Sequence, residues 1–295
     1  MKYLKSFISL VIIACVVIAC NKKETLDTNI TGLGGDSWIQ SPIDKWLYDS
    51  MIKPYNIEMK YKWDQSEFDK SLILVPPTEN TVIPVTQDII SIWITPYNKT
   101  SGDSTFMKIN TPKQIMLSGS IALQSNGNAV AGLAEGGLKI LLFGINSYSR
   151  KDSGRVADMA HLIHHEYTHI LNQKKNYPIA FNKVTPDGYT GNWSALPPED
   201  NSWTRGFVTN YARKEPGEDI AELVSTMLVM GRARYDYTLY HPFPEYPDSL
   251  NNPTGISLLR AKEKIVVDYF RDAYNLDFYS LQTAVQQQIY NVLHR

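Results

Sequence analysis

His165, Glu166 and His169 spell H-E-x-x-H inside the stretch His161-Leu162-Ile163-His164-His165-Glu166-Tyr167-Thr168-His169-Ile170-Leu171. On a helix, residues four apart share one face and stand about 6 Å apart along the axis, so two imidazoles can close on one metal ion. Glu166, one step round from His165, can then reach a water beside that ion and take its proton. Two histidines do not complete a catalytic zinc site, which takes three protein ligands and keeps one position open. His161 lies one turn before His165 on the same face. It is also about 12 Å along the axis from His169, so the three cannot surround one ion. His161 and His165 alone could form a pair, but Leu162 stands where the base belongs. His164 points elsewhere. Both extra histidines read as solvated, or as supports behind the ligands.

A third ligand is offered downstream, in Tyr211-Ala-Arg-Lys-Glu215-Pro216-Gly-Glu218-Asp219-Ile220-Ala221-Glu222. Pro216 suits the first position of a helix with Ile220, Leu223, Val224, Met227 and Leu228 on its apolar face and Gly231 as its stop. Glu218 and Glu222, four apart, share the opposite face. One such carboxylate can ligate zinc while the other accepts an N–H from a ligand histidine and fixes its tautomer. Read alone, the pair is equally a solvated acidic face at a helix N-terminus, where carboxylates are favoured. A tyrosine followed seven residues later by E-x-x-A-E resembles the zinc-binding half of the gluzincins related to anthrax lethal factor. The resemblance implies Glu218 as the third ligand, Glu222 as the support of a ligand histidine and Tyr211 as the partner of the transition-state oxyanion. Asp219 and Glu222 stand next in line as ligands should Glu218 not serve.

The elements that must position these groups are legible from periodicity. Val156, Met159, Ala160, Ile163, Tyr167 and Ile170 form one stripe of a helix from about Ser153 to Gln173, with His165 and His169 on the opposite side. Upstream, Ser41-Pro42 starts a helix that Pro54 should stop, and a second helix over 83–95 should end at Pro96-Tyr97-Asn98. Ile57, Met59, Tyr61 and Trp63 alternate with Glu58, Lys60 and Lys62 as in a half-buried strand, and Ile115 to Leu123 alternates again, with a hairpin turn at Asn126-Gly127. Leu138 to Ile145 (LKILLFGI) is continuously apolar, a strand buried on both faces. Placed just before the motif helix, it is a candidate edge for adding an extended peptide. Two amphipathic helices, near 256–274 and 279–293, close a C-terminal lobe, and His241-Pro242-Phe243-Pro244 reads as a loop. Strands, then a motif helix, then more helices make an α+β fold with a mixed sheet packed on the H-E-x-x-H helix.

At 295 residues with 43% hydrophobic content, the chain can bury a sizeable core. A net charge of −1 and no basic run interleaved with aromatics leave no footprint for nucleic acid. The glycine clusters at 32–35 and 132–137 match no phosphate-binding loop and read as turns or linker. Both cysteines lie in the first twenty residues. Lys2 and Lys5 precede an apolar run from Phe7 to Ala19, too short for a membrane span. Its end, Val17-Ile18-Ala19-Cys20, resembles a bacterial lipoprotein signal. In that class Cys20 becomes the acylated first residue and Cys15 leaves with the signal; a plain secretory signal with Cys20 a bystander is the alternative. In either case no disulfide and no cysteine zinc ligand remains.

The chain as a whole resembles the zinc-binding metallopeptidases found among lipoproteins of Bacteroidetes. The likeness is carried by the residues around Cys20, an early tryptophan, Pro54-Tyr-Asn-Ile-Glu58, His165 to Gln173 and Glu218 to Glu222. It implies a signal peptide over 1–19, a lipidated tether over 20–36 and a zincin-like metallohydrolase domain over 37–295. The domain would hold helices and sheet over 37–150, and the zinc-site helices with the C-terminal lobe over 151–295. It implies a Zn2+ cofactor, a peptide or protein substrate, and attachment to the cell envelope at the outer membrane through a lipid anchor, beside an outer-membrane import complex. Two other readings stand next to a peptidase: a nutrient-binding surface lipoprotein with a non-catalytic zinc site, and a zinc hydrolase of a non-peptide amide.

Overall fold

The computed structural model describes residues 40–69, 71–123, 129–130, 132–135, 139–197, 200–241 and 253–295. The signal, Cys20, the tether, the Asn126-Gly127 turn and Pro242 to Pro244 lie outside them. The described residues fall in one compact unit, Gln40–Arg295. Its strands are β1 (Glu58–Lys60), β2 (Gln114–Leu117), β3 (Ala122–Leu123), β4 (Ala129–Val130), β5 (Gly132–Glu135) and β6 (Lys139–Leu142). The main sheet runs β1-β2-β6-β5; the first two pairings are parallel and the last antiparallel, while β3 and β4 form a separate antiparallel pair.

The alternation of strand side chains explains why the sheet has two dry faces. Ile115, Leu117, Ile140 and Leu142 enter the main core with the motif-helix stripe. Met116, Leu141 and Phe143 join Phe68, Leu74 and Ala122 in a smaller cluster on the other face. Within the continuously apolar run, Lys139–Leu142 is therefore a strand buried on both faces, as its composition demands. It is not an edge. β6 is paired on both sides, by β2 and by β5, so the peptide-accepting edge expected there does not exist. Among the described strands of the main sheet the two edges are β1 and β5, and β5 packs beside the motif helix. The other expected strands are shorter than their alternation. Only 58–60 of the first pairs, and the second breaks after Leu117, where Gly119 N–H turns to the carbonyl of Val75 at 2.7 Å.

Among the described residues, seven α-helical elements follow in chain order: α1 (residues 42–55), α2 (79–101), α3 (Phe106–Asn110), α4 (Ser153–Lys174), α5 (Pro216–Tyr240), α6 (Pro253–Tyr274) and α7 (Phe278–Leu293). α1 ends one residue past Pro54, as expected, whereas Pro96 does not stop α2, which runs on to Ser101. In each helix a π-turn, Tyr48–Ile52 or Ile90–Ile94, precedes the proline, and the residue before it donates five positions back: Lys53 to Tyr48 and Thr95 to Ile90. The wider turn makes room for a ring that would strike the carbonyl of the preceding α-turn. The helices end at left-handed Asn56 and Gly102.

α4 starts at Asp152, whose carboxylate accepts from the N–H groups of Gly154 and Arg155 at 3.0 and 3.1 Å. All six residues of its stripe are buried, each fully buried aliphatic contributing about 1.5–3 kcal/mol. α5 presents Ile220, Leu223, Val224, Met227 and Leu228, all fully buried. Gly231 kinks α5 rather than ending it, with φ 72° and ψ 165°. The carbonyls that the kink frees are taken up by α7. Gln286 Nε2 donates to Leu228 and Val229 at 2.9 and 2.6 Å, and Gln282 Nε2 donates to Met227 at 2.6 Å.

The first turn of α5 is pinned to α6 by a buried ion pair. Lys262 Nζ, fully buried, lies 2.6 Å from Asp219 Oδ2 and 2.7 Å from the Gly206 carbonyl, and 3.7 Å from the centre of the Phe207 ring. Tyr189 O–H donates to the same carboxylate oxygen at 2.9 Å. Removing one charge strands the other, at a cost of about 3–5 kcal/mol. Urea denaturation of Asp219→Asn should show a loss of that order, and Asp219→Leu combined with Lys262→Met should recover most of it. An unchanged midpoint in the single variant would contradict this role for the pair.

Candidate metal centre

The packing of α4 against α5 brings three ligand atoms together. His165 Nε2 and His169 Nε2, one turn apart on α4, each lie 3.1 Å from Glu218 Oε2 and 3.1 Å from one another. Zinc at about 2.0–2.1 Å from each of three tetrahedral ligands would hold them about 3.3 Å apart, so the triangle is near the right size. Its chemistry points the same way. With the proton of His165 on Nδ1, its Nε2 offers a lone pair to the centre, next to a carboxylate oxygen. Lone pairs facing each other at this distance call for a proton or a cation between them. Either this group or His161 with His165 and Glu222 could hold an ion, the ligand atoms of each set lying within 4.8 Å of one another.

Two of the three ligands, His165 and Glu218, are backed on their far side. His165 Nδ1 faces Glu222 Oε1 at 2.8 Å, and the same oxygen lies 2.9 Å from His161 Nε2. Glu222 Oε2 accepts from Thr209 Oγ1 at 2.7 Å. The free oxygen of Glu218, Oε1, accepts from Tyr211 O–H at 2.8 Å and from Lys214 Nζ at 2.7 Å. The Lys214 ammonium also sits 5.3 Å from the centre of the Tyr211 ring, and Trp193 meets that ring edge-on at 4.8 Å. Burial raises the pKa of both glutamates. Hydrogen bonds from His165, His169 and Lys214 nonetheless hold Glu218 well below the carboxylate range. His161 and His165 do the same for Glu222. Burial pushes the Tyr211 hydroxyl up, and the charge of Glu218 pushes it further, so it stays a donor.

The sequence expectations meet the structure unevenly. His165, His169, Glu218 and Glu222 converge, with Glu166 buried next to His165 and adding its charge to the field on His165 and Tyr211. Tyr211 reaches the site, but its hydroxyl is directed at Glu218. His161 is a half-buried support of Glu222. His164 is neither solvated nor a support: it is fully buried on the side of α4 facing α2, its ring 5.8 Å from that of Tyr97. Burial pushes its pKa down to about 3, which makes it a neutral core residue. Asp219, the reserve ligand, is turned away toward Lys262. Lys214 and Thr209 were not anticipated. Lys214 stands four residues before Glu218, a spacing that could have pointed to it; Thr209 carries no such signal.

Burial alone would lower the pKa of His165. Hydrogen bonds to Glu218 and Glu222, with the charges of Glu222 and Glu166, instead raise it to about 10 in the metal-free site. A metal takes only the unprotonated nitrogen, so uptake near neutral pH must expel this proton. Because the metal-free pKa is raised, affinity should climb with pH, about tenfold per unit for one proton. Zinc calorimetry in buffers of different ionisation enthalpy should therefore show about one proton released per ion, and an affinity independent of pH between about 6 and 8 would contradict it.

Among known proteins, none in the curated set matches the chain. Its structure is similar to the crystal structure of a "putative zinc-binding metallo-peptidase" from Bacteroides caccae ATCC 43185, with a TM-score of 0.69 and 26% identity over 88% of this chain and 97% of that one. The sequence pattern of one family matches residues 36–279, a span that includes both site helices. The chain belongs to that zinc-binding family, described as "Putative zinc-binding metallo-peptidase".

Proposed function

We propose that the chain is a zinc-dependent peptidase of the gluzincin kind, with a zincin-like arrangement of sheet and motif helix. His165, His169 and Glu218 hold the ion, Glu166 is the general base, Tyr211 donates to the oxyanion and Glu222 fixes the His165 tautomer. The observation that carries this reading is the 3.1 Å triangle of Nε2, Nε2 and Oε2 with Glu166 adjacent to one corner. A zinc ion held there lowers the pKa of water toward about 7 and polarises a carbonyl.

The chain's own groups do the rest. Glu166 accepts the proton of the attacking water and passes it to the leaving amine. Tyr211 turns from Glu218 Oε1 and donates to the oxygen on which negative charge develops, a contribution worth a few kcal/mol for one well-placed donor. Lys214, on the same Oε1, keeps that oxygen paired while Tyr211 is away. The back-up at Glu218 is thus double, and one member is free to move.

We further place this enzyme in the cell envelope, lipid-anchored through Cys20 at the outer membrane and serving nutrient import. The apolar run ending at Ala19-Cys20 and the polar tether after it support this reading. Lipid labelling that is lost in Cys20→Ser would bear it out, and an unlabelled chain would sink it.

Glu166→Gln should retain zinc and lose hydrolysis of a peptide library by about a hundredfold or more. Tyr211→Phe should lower turnover by about ten- to a hundredfold with zinc content unchanged. Full turnover in the Glu166 variant would remove the base assignment, and zinc loss in the Tyr211 variant would make that residue a structural one. A zinc-loaded chain that cleaves no library, with or without chelator, would favour a binding protein or an amidase of another substrate class.

A further inference from the structure

We propose that His161 is a positioning residue for the metal, acting on His165 through Glu222; this rests on the three-ligand reading of the site. Oε1 of Glu222 is shared between two imidazoles on one face of α4, His161 Nε2 at 2.9 Å and His165 Nδ1 at 2.8 Å. The two rings are inclined at 29°, with centres 6.2 Å apart. Ser225 Oγ reaches His161 Nε2 at 3.3 Å while bonding to the Ala221 carbonyl at 2.8 Å, which settles the outer ring against α5.

A carboxylate that orients a ligand imidazole must itself be held, because rotation about its terminal torsion is soft. Thr209 holds Oε2 of Glu222. Oε1 has only His165, the ring it must orient, unless His161 also grips it. Two fixed points, one per oxygen, define the plane of the carboxylate and hence the direction of the His165 lone pair. His161 is a third of the way exposed and sits one turn outside the ligand pair, so it can do this without reaching the ion. Loss of a partner that directly orients a metal ligand weakens metal binding by about 10–100-fold. Acting one contact further out, His161 should stand at or below the lower end of that range.

The test is zinc affinity, measured on the full chain by competition with a chromophoric chelator, so it needs no substrate. His161→Ala should weaken zinc by about three- to tenfold. His161→Phe keeps the ring volume without the donor and should do the same. His161→Gln, whose amide nitrogen can take the place of Nε2, should stay within about twofold of the parent. In a Glu222→Ala background His161→Ala should cost nothing more. The proposal is overturned if His161→Phe binds like the parent, if His161→Gln is as weak as His161→Ala, or if the losses at 161 and 222 multiply. It is overturned in another way if the parent binds two ions and His161→Ala binds one, since His161, His165 and Glu222 would then be a second metal site. A parent that binds no zinc, or that binds it unchanged in Glu218→Ala, would instead remove the three-ligand reading on which the proposal stands.

Discussion

The contact on which the rest of the molecule depends is the crossing of α4 and α5. Each helix is amphipathic in an unusual sense: its apolar side is buried in the core, and its polar side is also buried, against the polar side of the other. Eleven residues of α4 are buried, the stripe together with His165 and Glu166 among them. Burying so many ionisable groups is tolerable only if they are paired. Here pairing and function coincide, because each group that supports a ligand is also satisfied by it. Glu222 is held by His161, His165 and Thr209, and Glu218 by Tyr211 and Lys214.

Charge explains why that crossing calls for a cation. Glu166, Glu218 and Glu222 are all buried, and Lys214 pairs with Glu218. With neutral imidazoles these four side chains carry a net charge of −2, which a dication would balance. Without one, His165 holds a proton that its burial would otherwise expel. The neighbouring Asp219 does not add to the imbalance, since Lys262 neutralises it in a pocket lined by Phe181 and Phe207. Adjacent acids on one helix turn thus serve different ends, Glu218 facing the metal position and Asp219 anchoring the turn that presents it.

What the sequence made legible was local. The stripe of α4 follows from 3.6-residue spacing, and Glu218 with Glu222 follows from four-residue spacing after Pro216. What it hid depends on distant segments. Nothing at Pro96 announces the π-turn that carries α2 past it. LKILLFGI declares that it is buried but not which strands flank it, so the edge was misplaced. His164 carries the same chemistry as its neighbours, and only the packing of α2 against α4 decides that it is a core residue. Thr209 and Lys214 reach the site from irregular turns whose path no periodicity encodes.

The measurement that bears most directly on this account is zinc per chain after dialysis, by elemental analysis, for the parent and for Glu218→Ala. One ion in the parent and far less in the variant is the result expected of a site built from His165, His169 and Glu218. No zinc in the parent would contradict the metal centre itself. An undiminished ion in the variant would contradict Glu218 as the ligand that α5 brings to α4.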